Sequence, residues 1–165
     1  MRLDLVRATA YLRHMALLPI IVAPDPRLKV KAKPVGEALR MLVIDIAKDG
    51  EPSKPMKIIN PEITWASAEV VPWEEGCLSL PDQFAEVERP KEVKVRYLDE
   101  TGKKQEVHAT GLLATCIQHE MDHLDGVLFV DHISALRRNM ILRKLVKIKK
   151  QKQSERPKAA VPADA

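Results

Sequence analysis

The feature that most constrains this chain is His119-Glu120-Met121-Asp122-His123, set inside a stretch where the apolar period changes. From Thr110 onward, Leu112, Leu113, Cys116, Ile117, His119, Glu120 and His123 recur at helical spacing. Thr110 suits an N-cap and Gly126 a C-terminal stop, so the pattern predicts a helix over about 111–125. Residues four apart share one helix face, so both imidazoles can point at a single ion. Glu120, next to the first of them, can reach a water held there. An apolar helix does not normally bury two histidines and a glutamate without a use for them. The competing reading is a set of solvent-facing polar residues.

The rest of the chain tells what that helix packs against. Residues 41–46 form a β-branched run and read as a buried strand. Residues 57–59, with Ile58 and Ile59 as their apolar part, stop at the turn signal Asn60-Pro61. Residues 63–71 have room for another strand, and 84–87 alternate weakly. Val93, Val95 and Tyr97 alternate with Lys94, Arg96 and Leu98, the pattern of a half-buried strand. Residues 99–102 make a hairpin loop, and 105–109 the return strand. Ser134 caps a second helix to about Lys150, with Leu136, Met140, Ile141, Leu145 and Ile148 on one face. Strands followed by helices predict an α+β fold: small antiparallel or mixed strands around a central metal-binding helix, plus a C-terminal helix. With 45% hydrophobic but 4% aromatic residues, the core must be mostly aliphatic. The 165 residues suffice for one domain, expected over 15–150, with an extension over 1–14 and a disordered tail over 151–165.

The net charge of +4 is unevenly spread. Residues 134–152 hold eight Lys or Arg and no acid, and the remainder holds 19 basic against 23 acidic residues. That asymmetry points to an anionic partner at one end, against a plain reading as a solvated amphipathic helix. The longest apolar run, 15–23, contains Pro19 and is too short to span a bilayer, so no membrane partner is expected. Arg2, Arg7 and Arg13 ahead of it allow a signal or organellar transit peptide, which Pro19 and Pro24 weaken; an extension ahead of Met15 is the plainer reading. Cys77 and Cys116 read as free thiols in a reducing compartment.

A third ligand decides the class of site. The stretch from His119 to Gly126 matches the start of a metzincin peptidase pattern, but the histidine that pattern needs falls at Phe129. His132 is three residues late, Asp125 and Asp131 lie too near the helix end, and Glu155 falls in the tail. Upstream stands Glu75-Gly76-Cys77-Leu78-Ser79. Cys77 is either a small buried hydrophobe or a thiolate ligand. A Cys77, His119, His123 set would leave an open position for water, as catalytic sites do.

Glu75-Gly-Cys-Leu-Ser followed by His119-Glu-x-x-His resembles the second and third signature motifs of the peptide deformylase family. The stretch from Gly111 to Phe129 resembles that family's catalytic helix, Pro24-Asp-Pro-Arg-Leu28 its N-terminal segment, and Ile59-Asn-Pro-Glu-Ile63 a family strand and turn. The resemblance covers about residues 15–150. It implies hydrolytic removal of formyl from N-formylmethionyl peptides in the bacterial cytoplasm. It implies one divalent metal on Cys77, His119 and His123, usually Fe2+, with Zn2+, Ni2+ or Co2+ able to replace it. Glu120 would then transfer protons. Glu75, Gly76 and Leu78 would belong to the substrate edge, with the Leu78 N–H on the oxyanion, and Leu112 and Cys116 to the wall of the methionine pocket. It also implies docking of helix 134–152 to the ribosome.

One part of the pattern is missing. The family's first motif, Gly-x-Gly-apolar-Ala-Ala-x-Gln, should precede residues 41–46, yet Pro34 stands directly before the expected Val35-Gly36. A gap on the order of thirty residues is implied, including an oxyanion donor whose loss costs about 100–1,000-fold in rate. Two alternatives to a full deformylase are therefore a zincin-like peptidase and a catalytically impaired, ribosome-associated relative.

Overall fold

The computed structural model describes residues 21–31 and 40–154. The extension over 1–14, the Pro34–Gly36 junction and the tail from 155 lie outside the described residues. Alternation of side chains builds two antiparallel sheets. β1 (Met41–Ile44), β2 (Met56–Ala66), β5 (Glu92–Leu98) and β6 (Lys104–Thr110) form the first, in the order β1-β2-β5-β6. β3 (Val70–Cys77) and β4 (Leu80–Pro90) form the second. α1 (Gly111–Leu124) follows β6, and α2 (Ala135–Ser154) comes last. The architecture is the expected α+β, with every pairing among the described residues antiparallel.

The hairpin read from Val93 to Ala109 is present, with Val95 opposite Val107, and Asp99 accepting N–H bonds from Thr101 and Lys103 in its loop. Other boundaries differ from expectation. β1 stops at Ile44, because Asp45 turns the chain by accepting from the N–H groups of Ala47 and Lys54. Asn60-Pro61 does not end a strand. Asn60 takes φ 51 and the β2–β5 register shifts between Ile59 and Glu62, so the pair makes a bulge inside β2. A bulge tolerates proline, which has no N–H for the ladder. The expected strand over 63–71 divides, since β2 ends at Ala66 and β3 begins at Val70. α2 runs on to Ser154, so the expected tail begins with four helical residues.

Two apolar clusters hold these elements. Leu42, Ile44, Ile58, Val93, Val95 and Ala109 of the first sheet pack on Ala114, Ile117 and Met121 of α1. Leu80, Ala85 and Val87 of β4 pack on Leu128, Phe129 and Val130, and on Ile141 and Leu145 of α2. Each fully buried Val, Leu, Ile, Met or Phe among them contributes about 1.5–3 kcal/mol by leaving water. Phe129 is the one aromatic among the buried members, in line with the composition. α1 is therefore covered by the first sheet on one side and reaches β4 on the other.

The end of α1 is fixed from outside. Gly126 has φ 72, and a Cβ there would stand 2.6 Å from the Lys29 carbonyl oxygen. Only glycine fits that approach, which brings the segment 21–31 against the helix end. Arg40 adds a bidentate bond to Asp125 at 2.8 and 3.1 Å.

Candidate metal centre

Strand alternation places the first candidate ligand. Glu75 and Cys77 point from β3 toward α1, while Gly76 faces the other way. Phe84 of β4 lies over Gly76, where a Cβ would meet a ring carbon at 2.6 Å. The β3–β4 register shifts between Gly76 and Cys77, so Cys77 pairs with Leu80 across a tight turn of Leu78 and Ser79. Leu78 is 75% exposed at the tip of that turn. The Ser79 carbonyl accepts from Ala23 N–H at 2.8 Å, which ties the turn to the N-terminal segment.

Helix α1 supplies the other two. His119 and His123 sit one turn apart, with ring centroids at 4.7 Å and planes at 88°. One donor atom each of Cys77, His119 and His123 lies within 4.8 Å of the other two, and Cys77 Sγ is 3.3 Å from His123 Nε2. Tetrahedral bonding at the usual metal–sulfur and metal–nitrogen lengths puts sulfur and nitrogen about 3.6 Å apart, so this donor set fits a divalent ion. The structure thus brings Cys77 to two histidines of a helix distant from it in sequence.

The electrostatics suit a thiolate. Burial alone would raise the Cys77 thiol, but hydrogen bonds with His119, His123 and the Ser79 N–H outweigh it and bring it down to about 6. Burial would lower His119, yet Cys77 and Glu75 beside it raise it to about 9. Burial would raise Glu75, but His119 and Arg89 hold it down at about 2. The His119 Nδ1–H donates to Glu75 Oε2 at 2.8 Å, so Nε2 is the nitrogen left to bind an ion, giving up its proton as the ion enters.

The remaining predicted residues line α1 and the β3 end. Leu112, Cys116 and Glu120 follow one another at four-residue spacing, beside the histidine stripe. Leu112 is half exposed; Cys116 and Glu120 are half-buried. The Cys116 thiol is pushed up, first by burial and then by the nearby Glu120 and Glu75 carboxylates. Both cysteines are free.

Three polar residues around the centre escape a reading by motif. Arg89, buried in β4, gives Nε and Nη2 to Glu75 and Nη1 to Asp122 at 2.9 Å. His132 Nε2 donates to Asp122 at 2.7 Å. The signal for Arg89 was the alternation Ala85, Val87, Arg89, which continues the inward face of β4 past the apolar residues.

A family model described as polypeptide deformylase matches residues 20–139. A peptide deformylase of Brucella suis is 44% identical over 173 aligned positions, covering 86% of this chain and 99% of that protein. Those positions exceed the residues this chain contributes by on the order of thirty, so about that many positions of the relative have no counterpart here. The crystal structure of a peptide deformylase from Legionella pneumophila matches with TM-score 0.75 at 38% identity, over 86% of this chain and all of that one. The peptide deformylase of Ehrlichia chaffeensis in complex with actinonin matches with TM-score 0.72 at 31% identity, over 87% of this chain and 100% of that one. The model match, the identities and the shared fold agree: the chain belongs to the peptide deformylase family.

Proposed function

We propose that the chain is a metal-dependent amide hydrolase that removes the formyl group from N-formylmethionyl peptides and releases formate. The observation that carries this reading is the convergence of Cys77, His119 and His123 beside Glu120, in a chain of this family. Cys77, His119 and His123 would hold one divalent ion, which supplies Lewis acidity toward the formyl oxygen and toward water. Glu120 takes a proton from the attacking water as its oxygen bonds to the formyl carbon, then gives it to the amine as the C–N bond breaks. The Leu78 N–H at the exposed turn donates to the developing oxyanion. Leu112 and Cys116 form a soft apolar wall for the methionine side chain, next to Glu75, Gly76 and Leu78 at the substrate edge. The thiolate and imidazole donors suit Fe2+ as well as Zn2+, Ni2+ or Co2+, and Fe2+ is our assignment.

The site of action we infer is the bacterial cytoplasm. No helix among the described residues is long and apolar enough to cross a membrane. α2 carries Arg137, Arg138, Arg143, Lys144, Lys147, Lys149 and Lys150 with no acid, which favours docking to ribosomal RNA. Replacing Arg143, Lys147 and Lys150 by Glu should abolish co-sedimentation with ribosomes at low salt. Unchanged co-sedimentation removes the docking assignment.

One observation favours a second reading, a catalytically impaired relative. The positions of the Brucella suis protein without a counterpart here are about as many as the absent first-motif segment would hold. Anaerobic assay of Fe2+- or Ni2+-loaded protein on a formyl-Met peptide decides. Formate release blocked by actinonin supports the deformylase. Cleavage inside the peptide supports a zincin-like peptidase. Metal uptake with neither activity supports the impaired relative.

A further inference from the structure

We propose that Asp122 and His132 are positioning residues for the metal centre: they clamp the outer nitrogen of Arg89 and so fix the guanidinium that holds Glu75 against His119. Arg89 stands at the centre of these contacts. It enters from β4 with its side chain 5% exposed and bonds to both elements that carry candidate ligands. Its Nε and Nη2 donate to Glu75 on β3, two residues before Cys77. Its Nη1 donates to Asp122 on α1, the residue before His123. The spacing between thiolate and imidazoles is therefore spanned by one planar group.

The guanidinium is a rigid planar fork, so acceptors at its two ends together fix where it points. Glu75 holds one end. At the other, Asp122 Oδ2 accepts from Arg89 Nη1 at 2.9 Å and from His132 Nε2 at 2.7 Å. Asp122 is 23% exposed, so without His132 its carboxylate is free to turn toward water. His132 cannot follow, because it closes the short 3-10 turn Phe129–Asp131, whose Phe129 and Val130 are buried. Asp131 of that turn accepts from the Leu128 N–H at 2.8 Å and from Arg138 Nε at 3.0 Å, which fixes its backbone. The chain of contacts runs His132, Asp122, Arg89, Glu75, His119. His132 is its outermost member, 36% exposed, and the one that can be replaced without stranding a buried charge.

Partners outside the ligand set typically cost about 10–100-fold in metal affinity or activity when lost. His132 stands further out than Glu75, so the lower end of that range, about tenfold, is expected. The inference rests on the metal reading of Cys77, His119 and His123.

The test uses the full chain loaded with Co2+, as wild type, His132→Phe and His132→Gln. The visible Co2+ absorption, the rate of Co2+ loss to EDTA, and kcat and KM on a formyl-Met peptide are measured for each. We expect His132→Phe to shift the Co2+ bands, to lose Co2+ about tenfold faster, and to lower kcat with KM little changed. His132→Gln, whose amide N–H reaches the same carboxylate, restores all three. A His132→Phe protein with the wild-type spectrum and release rate overturns the inference, as does failure of Gln to restore them. A lowered thermal midpoint with an unchanged spectrum marks a merely structural contact and overturns it too. A wild type that takes up no Co2+ defeats the metal reading and this inference together; uptake with superimposable variants defeats this inference alone.

Discussion

The carboxylate of Glu75 accepts a hydrogen bond from His119 Nδ1 at 2.8 Å, and this one contact settles which nitrogen of the ring is left to meet an ion. Carboxylate, imidazole and ion in line is how proteins commonly set the tautomer and basicity of a metal-ligating histidine. In this chain the carboxylate is itself gripped by Arg89, and both side chains are 5% exposed.

Glu120→Gln should keep the metal and lose formate release by about 100–10,000-fold, the usual worth of a proton-transfer group. The amide is close in shape but cannot take the proton. Metal content by mass spectrometry and turnover on the same sample check it. Retained turnover removes Glu120 from its role.

Arg89→Met should destabilise the protein by about 3–5 kcal/mol, because it leaves Glu75 buried without its cation. The pH dependence has a definite sign. Glu75 is held near 2, below its ordinary 4.5, so the unfolded state binds a proton that the folded state does not. Its contribution is complete above about pH 4.5 and disappears as pH falls through about 2. Urea unfolding of the wild type at stepped pH should show that acid loss, and Glu75→Gln should reduce its part, with other depressed carboxylates such as Asp125 and Asp131 supplying the rest.

Cys77 of the metal-free protein should be alkylated by iodoacetamide with a midpoint near pH 6, because the thiolate is the nucleophile and its pKa is depressed to about 6. Cys116, pushed above the ordinary thiol value, should stay slow at neutral pH. A bound ion should protect Cys77 and leave Cys116 as it was. Peptide mapping distinguishes the two; equal labelling at pH 7 contradicts the site's electrostatics.

Gly126→Ala should cost at least about 1–3 kcal/mol, since the residue is held at φ 72. The added methyl also meets the Lys29 backbone, which cannot swing aside as a side chain does. Urea titration reads the loss directly. An unchanged midpoint would mean that the segment 21–31 does not close on the end of α1.

Much of this arrangement was readable in the chain. The helix of His119 and His123 follows from spacing alone, because a period near four has one structural meaning over fourteen residues. The strand pair β5–β6 was equally plain, with alternation on both sides of a loop built on Asp99. β2 was hidden because Asn60-Pro61 ends strands more often than it bulges within them, and only pairing with β5 decides between the two. Cys77 could not be tied to the histidines by local pattern. Its neighbours in space, His119 and His123, lie 42 and 46 residues later, and resemblance bridged that distance where periodicity could not. The role of Arg89 was hidden for a related reason, although its place in the alternation of β4 hinted at it. A charged residue on a strand reads as solvated until its buried partners are known.

The most direct test of the account is X-ray absorption spectroscopy at the metal edge of the Co2+- or Zn2+-loaded chain. The account predicts one sulfur at about 2.3 Å and two imidazole nitrogens at about 2.0–2.1 Å, with the sulfur lost in Cys77→Ser. A first shell of nitrogen and oxygen alone in the wild type would contradict it.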